Sequence, residues 1–317
     1  MGATLKNLVR DLVPKPILRA LYPLTLKRKA ARLGLRFRTT GAFIDITRGT
    51  DTLRIAAGHT IYLGDALDEF DFLFSGVRPL KLGDGHFVDY STPRYHDVVG
   101  FEAYPILFPG FAEPVVTTRQ YLGFAGLQEG MTVLDLGAYS GLTSMLFAQA
   151  TGASGLVVAV EADRISAECV KVNLANFARY CPSPIRLLEG AVWKDNTGVE
   201  FSCEGNMGAS AVPIVGGNRG AVVKVPSYTL SAIADACGLS RVDFIKCDVE
   251  GAENVVFTDR AFFARFSPRI IIETHFVDGV ETTAKCVADL EAVGYACRKV
   301  AQDGWDLPLL ECSPPAR

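Results

Sequence analysis

No Cys-x-x-Cys pair and no zinc-ligand spacing occurs in this sequence, although it holds eight cysteines, all between Cys169 and Cys312. That excludes a zinc module and a dithiol redox motif. Cys169, Cys237, Cys247 and Cys286 fall in apolar strand or helix patterns. Reduced, buried thiols in a cytoplasmic protein are therefore expected. No run approaches the roughly 18 apolar residues that a membrane-spanning helix needs. The first residues are broken by Lys6, Arg10 and Asp11 and lack the apolar segment of a secretory signal, so none is expected. Internal repeats and low-complexity tracts are missing too. With 49% hydrophobic residues among 317, wholesale disorder is excluded, and one large domain with a smaller appended region is expected.

Net charge is small, at −3, but its distribution is uneven. Residues 1–40 carry ten basic side chains against Asp11 alone, a net +9, so the remainder carries −12. Leu5, Leu8, Val9, Leu12, Ile17, Leu18 and Leu21 recur between those charges at near-helical spacing. Such a stretch can lie on an anionic membrane surface or meet an anionic substrate. The plainer reading, which is preferred, is a solvated helix packed on its own domain. Peripheral contact at the inner membrane surface stays open; a nucleic-acid partner is not expected.

Among what is present, Val133-Leu134-Asp135-Leu136-Gly137-Ala138-Tyr139-Ser140-Gly141 is the most informative run. An apolar strand, a glycine turn and the start of a helix at Leu142 make the shape that a parallel α/β sheet uses to hold a nucleotide-like ligand. A dinucleotide fingerprint needs Gly-x-Gly-x-x-Gly. Tyr139 stands where the second glycine should be, and no third follows. A bulky residue there opposes a pyrophosphate and suits a ligand without one, such as S-adenosylmethionine. The next apolar run, Leu156–Val160, ends in Glu161, 20 residues past Gly141. A carboxylate there can accept both ribose hydroxyls of an adenosine.

Strands are expected over 132–136, 156–161, 185–190, 242–247 and 269–275. Helices are expected over 117–126, 141–150, 164–178, 229–237 and 280–293, with another within 251–265. A closing pair, 294–300 and 304–311, is joined by Asp303-Gly304, a hairpin signal. This describes an α/β, doubly wound sheet with one antiparallel strand at its edge. Residues 197–226 interrupt the alternation as a small β excursion around a glycine-rich loop. Residues 1–112 read as an accessory region of low regularity: prolines 14, 16 and 23 cut its start into short helices. Ile44/Ile46, Leu53/Ile55 and Ile61/Leu63 then alternate as strands, and Asp65–Phe74 suggests a short helix. Residues 113–317 form the main domain.

The second informative run is Phe244-Ile245-Lys246-Cys247-Asp248-Val249-Glu250-Gly251-Ala252-Glu253. Three crowded carboxylates repel one another unless a sulfonium, a metal or a hydroxyl donor offsets them. Glu253 reads as a stabiliser of the following helix N-terminus, Asp248 as functional. Ile270–Ile272 runs into Glu273-Thr274-His275. There His275 is first a general base or substrate contact, next a hydrogen-bonded loop residue, and last a hard-metal ligand beside Asp248. His59, His86 and His96 read as structural. The last two flank Asp89, Tyr90, Arg94 and Tyr95, a cluster able to face an acceptor. Asn173 and Asn176 read as local capping residues.

In order, VLDLGAYSG, VEAD, VKVNLANF, EGAVWKDNTGVEF, FIKCDVEGAE and IIIETHF resemble the FkbM family of S-adenosylmethionine-dependent methyltransferases, over roughly residues 115–275. The resemblance implies a class I methyltransferase (Rossmann-like) fold and O-methylation of a sugar, glycolipid or polyketide hydroxyl. It implies that Asp135, Gly137 and Gly141 line the methionine half of the cofactor, Glu161 the ribose and Ala191 the adenine. Ala138, Ala162 and Asp248 join that set. Asp248 and Glu250 then lie between cofactor and acceptor, with Glu273 and His275 opposite and Tyr139 as a further acceptor contact. Tyr139-Ser140 replaces the asparagine expected in this turn. Asp248, His275 and Glu273 are the catalytic candidates for an in-line transfer aligned at about 3–3.5 Å, and no metal is assigned. The competing readings are a nucleotide-binding oxidoreductase or epimerase, and a non-catalytic cofactor-binding module docked on a membrane glycan assembly.

Overall fold

A computed structural model describes residues 15–215, 220–303 and 307–315. Lys6, Arg10, part of the glycine-rich loop and Gly304 lie outside these. The chain divides into two compact units. One comprises residues up to Phe74 with Pro79–Thr92; the other comprises Ser75–Arg78 and everything from Pro93. Residues 93–112, read from sequence as accessory, thus fall in the second unit. There Arg94–His96 pairs with Ile106–Phe108.

In the second unit the expected strands form one seven-stranded sheet. Thr132–Leu136 (β1), Leu156–Glu161 (β2), Ile185–Glu189 (β3), Phe244–Cys247 (β4) and Arg269–Glu273 (β5) run parallel, and Ala296–Val300 (β6) and Leu309–Ser313 (β7) close it. The order is β3-β2-β1-β4-β5-β7-β6. β7 runs antiparallel to both β5 and β6. The antiparallel strand is therefore second from the edge, and β6 forms the edge itself. A connection from β5 that reaches the outer position first and returns inward puts its last strand in the gap.

Central strands are buried on both faces, which is why they read as near-continuous apolar runs. Leu134, Leu136, Val158, Val160, Ile245, Cys247, Ile270 and Ile272 alternate onto one face. They share a core with Leu230, Ile233, Val256, Phe262 and Leu290 from the helices that follow β3, β4 and β5. Each such side chain contributes roughly 1.5–3 kcal/mol on burial. A one-residue slip would drive Asp135 and Lys246 into that layer, so the register is strongly specified. On the other face lie helices Val115–Ala125 and Leu142–Thr151, with Phe147 edge-on to Phe244 at 5.6 Å. Strand order reverses between β1 and β4, and a ligand crevice belongs beyond their carboxyl ends.

The excursion at 197–226 is an antiparallel pair, Val199–Cys203 with Ala221–Val225, and Ser210–Ala211 adds to it.

The first unit is more regular than its sequence suggests. Strands Arg36–Thr40, Phe43–Arg48, Asp51–Ala56, Gly85–Tyr90 and Leu80–Leu82 form a five-stranded sheet in that spatial order. Ile61 and Leu63, expected in a strand, lie in a 3-10 turn and the helix after it. Lys15–Arg32 is one helix that continues through Pro23, not several short ones. Within it Leu26 and Ala30 are buried, and Lys29 Nζ reaches the Gly64 carbonyl at 3.0 Å and the Asp68 carboxylate. Among the described residues no helix is long and apolar enough to cross a membrane.

Candidate active site

The register brings the acidic strand ends together. Lys246 on β4 lies opposite Asp135 on β1 and opposite Ile271 on β5. With side chains alternating in period two, Asp248 and Glu273 continue on the side that Lys246 occupies. Lys246 is fully buried and donates from Nζ to the Gly137 carbonyl at 2.8 Å. The same nitrogen stands 3.6 Å from Asp135 Oδ1 and 3.4 Å from Asp248 Oδ2. Burial opposes its charge, but Asp248, Asp135, Glu113 and Glu273 outweigh that and hold its pKa above the usual lysine value. Sequence reasoning passed over Lys246. The available signal was a lysine inside an apolar strand, two residues from Asp248 and therefore on its face.

Asp135 is wholly buried and accepts from the Ser144 hydroxyl through Oδ2, while Oδ1 has no hydrogen bond. Burial raises its pKa, with Lys246 and Ser144 acting against the rise.

The loop after β4 is held in an unusual conformation. Glu250 has φ +52°, and Ser210 Oγ donates to its carbonyl at 2.7 Å. A non-glycine residue in the left-handed region costs on the order of 1–3 kcal/mol, and such strain clusters at functional sites. Glu253, read as a helix stabiliser, is fully buried and organises this loop. Its Oε1 accepts from the Val249 and Gly251 amides at 3.2 Å each and from His275 Nδ1 at 2.9 Å.

His275 turns its other nitrogen, Nε2, toward Glu250 Oε1 at 3.4 Å and Asp248 Oδ1 at 3.6 Å. Burial disfavours its charge, but Glu250 and Glu253 prevail and raise its pKa well above the ordinary value. These carboxylates thus favour the charged form of the ring. With Nδ1 on Glu253 and Nε2 facing Glu250 and Asp248, His275 is placed to fix these carboxylates as well as to meet a substrate proton. Asp248, Glu273 and His275 each bring a candidate ligand atom within 4.8 Å of the others, but both imidazole nitrogens already face carboxylates. Glu273 accepts from Tyr121 Oη at 3.1 Å and Gln302 Nε2 at 3.0 Å, and burial pushes its carboxyl up to about 7.

The glycine turn is built against both neighbouring strands. The Gly137 and Ala138 amides donate to the Val160 carbonyl at 3.0 Å each. A Cβ on Gly137, whose φ is +79°, would lie 1.8 Å from the Asp248 carbonyl oxygen. Gly141, also at φ +79°, caps the helix Leu142–Thr151. Glu161 accepts from the Tyr139 amide and the Asp163 amide, both at 2.7 Å, one on each carboxylate oxygen. Its burial raises its carboxyl to about 8 against the pull of those bonds. Asp163 caps the helix Arg164–Phe177 and also accepts from the Glu204 and Gly205 amides. Asn173 is no local cap: its amide group bonds the carbonyls of Leu107 and Ser140 at 2.8 Å each, stapling the glycine turn to residue 107.

Ala162 packs on the core, and Ala191 is buried with its amide on the Pro226 carbonyl at 2.9 Å. Tyr139 departs from its expected role. Its backbone is left-handed at φ +50°, and its hydroxyl donates to the Phe111 carbonyl at 2.8 Å. The ring is a buried strut for the turn, not an acceptor contact. His86 bonds Asp51 and Tyr90 donates to the Leu73 carbonyl, both inside the first unit's own framework.

Glu113 is the other residue missed from sequence, because it precedes the helix Val115–Ala125 outside every motif run. It accepts from Ser140 Oγ at 3.2 Å and Thr143 Oγ1 at 3.4 Å. Burial pushes its carboxyl up to about 7, with Lys246 opposing the rise and Asp135 and Asp248 adding to it.

Among the described residues, Glu113, Asp135, Asp248, Glu250, Glu253 and Glu273 thus surround two cationic side chains, Lys246 and His275. The carboxyls of Glu113, Asp135 and Glu273 are all held above their ordinary values. The site is short of positive charge. A ligand carrying an ammonium and a sulfonium fits these carboxylates, whereas a diphosphate adds to the repulsion.

A family model described as the methyltransferase FkbM domain matches residues 135–296. Among solved structures, the chain is similar to the precorrin-6y C5,15-methyltransferase of Geobacter metallireducens, with 16% identity, 65% of this chain and 90% of that one covered, and a TM-score of 0.41. It is similar to the O-methyltransferase TomG of Streptomyces achromogenes, with 11% identity, coverage of 65% and 82%, and a TM-score of 0.42. It is also similar to the fibrillarin of Aeropyrum pernix, with 16% identity, coverage of 62% and 76%, and a TM-score of 0.38. No curated protein matches the chain.

Proposed function

Since the chain belongs to the FkbM methyltransferase family, we propose that it is an S-adenosylmethionine-dependent O-methyltransferase acting on a hydroxyl of a sugar, glycolipid or polyketide-type acceptor. The observation that carries the reading is the surplus of carboxylates around Lys246 and His275 beyond β1, β4 and β5. When bound, S-adenosylmethionine supplies an electrophilic methyl on a sulfonium. Asp135, Gly137, Ala138, Gly141, Glu161, Ala162 and Ala191 are the residues that would hold it. Each Glu161 oxygen has one amide donor and retains a lone pair for a ribose hydroxyl.

The acceptor belongs beside Asp248 and Glu250, whose side chains are each 24% exposed. His275, locked by Glu253, keeps an N–H directed at both carboxylates and so fixes their positions. Asp248 takes the hydroxyl proton as the oxygen becomes methylated. Lys246 holds the Asp248 carboxylate in place and offsets its charge. General-base assistance of this kind is worth roughly 10²–10⁴-fold.

The test is transfer of a labelled methyl from S-adenosylmethionine to nucleotide sugars, glycolipid extract and polyketides, with the product located by mass spectrometry. The expected result is label on an acceptor oxygen. Asp248→Asn should lower kcat by roughly 10²–10⁴-fold while S-adenosylhomocysteine still binds. Cofactor binding without transfer to any acceptor would instead mark a cofactor-retaining module, and label on nitrogen or carbon would overturn the O-methyltransferase reading.

A further inference from the structure

We propose that Glu113 receives the α-ammonium at the amino-acid end of the cofactor, an inference that rests on the methyltransferase reading. Three features of the chain's own residues support it. First, Glu113 has no basic partner: no lysine, arginine or histidine lies within ion-pair distance of it among the described residues. The one nearby cation, Lys246, is bonded to the Gly137 carbonyl and flanked by Asp135 and Asp248. Second, Glu113 does not cap the helix it faces. Its bonds come from the Ser140 and Thr143 hydroxyls, both long, while the Leu142 amide is met by Ser140 Oγ at 3.2 Å. Third, Asp135, in the same electrostatic neighbourhood, is wholly buried and has an oxygen with no hydrogen bond.

Glu113 therefore borders the glycine turn with acceptor capacity and no cation in ion-pair contact, beside Asp135, whose Oδ1 has Lys246 at 3.6 Å but no hydrogen bond. An alkylammonium carries three N–H donors and one positive charge, which is what Glu113 lacks. A sulfonium has no N–H and a ribose no charge, so neither other part of the ligand answers this need. Glu161 lies on β2, on the far side of β1 from Lys246, so the ribose end and the ammonium end fall on opposite sides of the turn. The raised carboxyl of Glu113 is the expected state of such a site before a cation arrives.

The test compares two neutral thioethers on the full chain by isothermal titration. S-adenosylhomocysteine has the amino-acid end; 5′-methylthioadenosine lacks it. Glu113→Gln should weaken S-adenosylhomocysteine by roughly 10–100-fold, the loss of a charge-assisted hydrogen bond, and leave 5′-methylthioadenosine within about 2-fold. Glu113→Asp, which keeps the charge, should recover part of the loss and guards against a glutamine variant that folds poorly. The inference is overturned if Glu113→Gln binds S-adenosylhomocysteine as the wild type does, or if both ligands weaken equally, as a structural role requires. A wild-type protein that binds neither ligand overturns the cofactor reading itself, and this inference with it.

Discussion

Gly137→Ala is expected to abolish S-adenosylhomocysteine binding and to destabilise the protein by about 3–5 kcal/mol. Two effects combine at this position. The backbone is at φ +79°, where an L side chain is strained, and the added Cβ would meet the Asp248 carbonyl oxygen at 1.8 Å. Neither chain can give way. Gly137 is tied through its amide to Val160 and through its carbonyl to Lys246, and the Asp248 amide donates to the Leu136 carbonyl at 3.0 Å. Gly141 shares the same φ, yet its Cβ would meet only the Val170 side chain at 3.3 Å. Gly141→Ala should therefore cost less, about 1–2 kcal/mol, and keep measurable binding. Urea unfolding with paired ligand titrations checks the ordering. A Gly137→Ala protein as stable as the wild type would contradict the close approach of the chain after β1 to the chain after β4.

Lys246→Met is the second large effect, a loss of about 3–5 kcal/mol at pH 8, because it leaves buried carboxylates without their cation. The loss should depend on pH with a definite sign. Burial already raises the Asp135 carboxyl above its unfolded value, and Lys246 opposes that rise. Without Lys246 it rises further. A carboxyl held higher in the folded protein than in the unfolded chain stabilises below the unfolded value, and that contribution disappears as pH climbs through the folded one. The deficit of Lys246→Met relative to wild type should therefore be smallest near pH 5 and grow toward pH 8. Lys246→Met combined with Asp135→Asn removes both charges and should regain about half of the loss at pH 8. A pH-independent deficit would mean that Lys246 acts by packing its stem rather than by its charge.

How far the sequence reveals this site follows from the distance between partners. The runs at 132–136 and 156–161 appear in the structure with the expected limits, because strands buried on both faces leave a continuous apolar signature that ends where the crevice begins. Asp135, Glu161, Asp248 and Glu273 were legible for the same reason: each closes or follows such a run. Lys246, Glu253 and Glu113 were not. Lys246 gains meaning only when β1 lies beside β4, 109 residues away along the chain. Glu253 looks like any acid at a helix start until His275 is placed on it. Glu113 belongs to no run at all. Tyr139 was visible as an obstacle to a diphosphate, but its hydroxyl bond to Phe111 depends on the fold.

The first unit was legible only in part: Ile44/Ile46 and Leu53/Ile55 lie in strands as expected, but the sheet they belong to was not foreseen. Its sheet carries an exposed face where Arg54 bridges Asp45 and lies over the rings of Phe43 and Phe87. Pairing on that face through charged and aromatic residues gives no apolar signal of which strands join. The position of β7 between β5 and β6 was likewise hidden, since a hairpin signal says that two strands pair but not which of them docks on the sheet.

The central claim is that an acid-rich crevice beyond β1, β2 and β4 takes a cationic nucleoside, and its most direct test is calorimetric titration of the full chain with S-adenosylmethionine and with NAD between pH 6 and pH 8. Glu113 and Glu161, held at about 7 and about 8, must be ionised to receive an ammonium and ribose hydroxyls. One equivalent of S-adenosylmethionine should therefore bind more tightly as pH rises across that range, with release of protons, and NAD should give no heat. Binding of NAD, or S-adenosylmethionine affinity that falls as these carboxyls ionise, would contradict it.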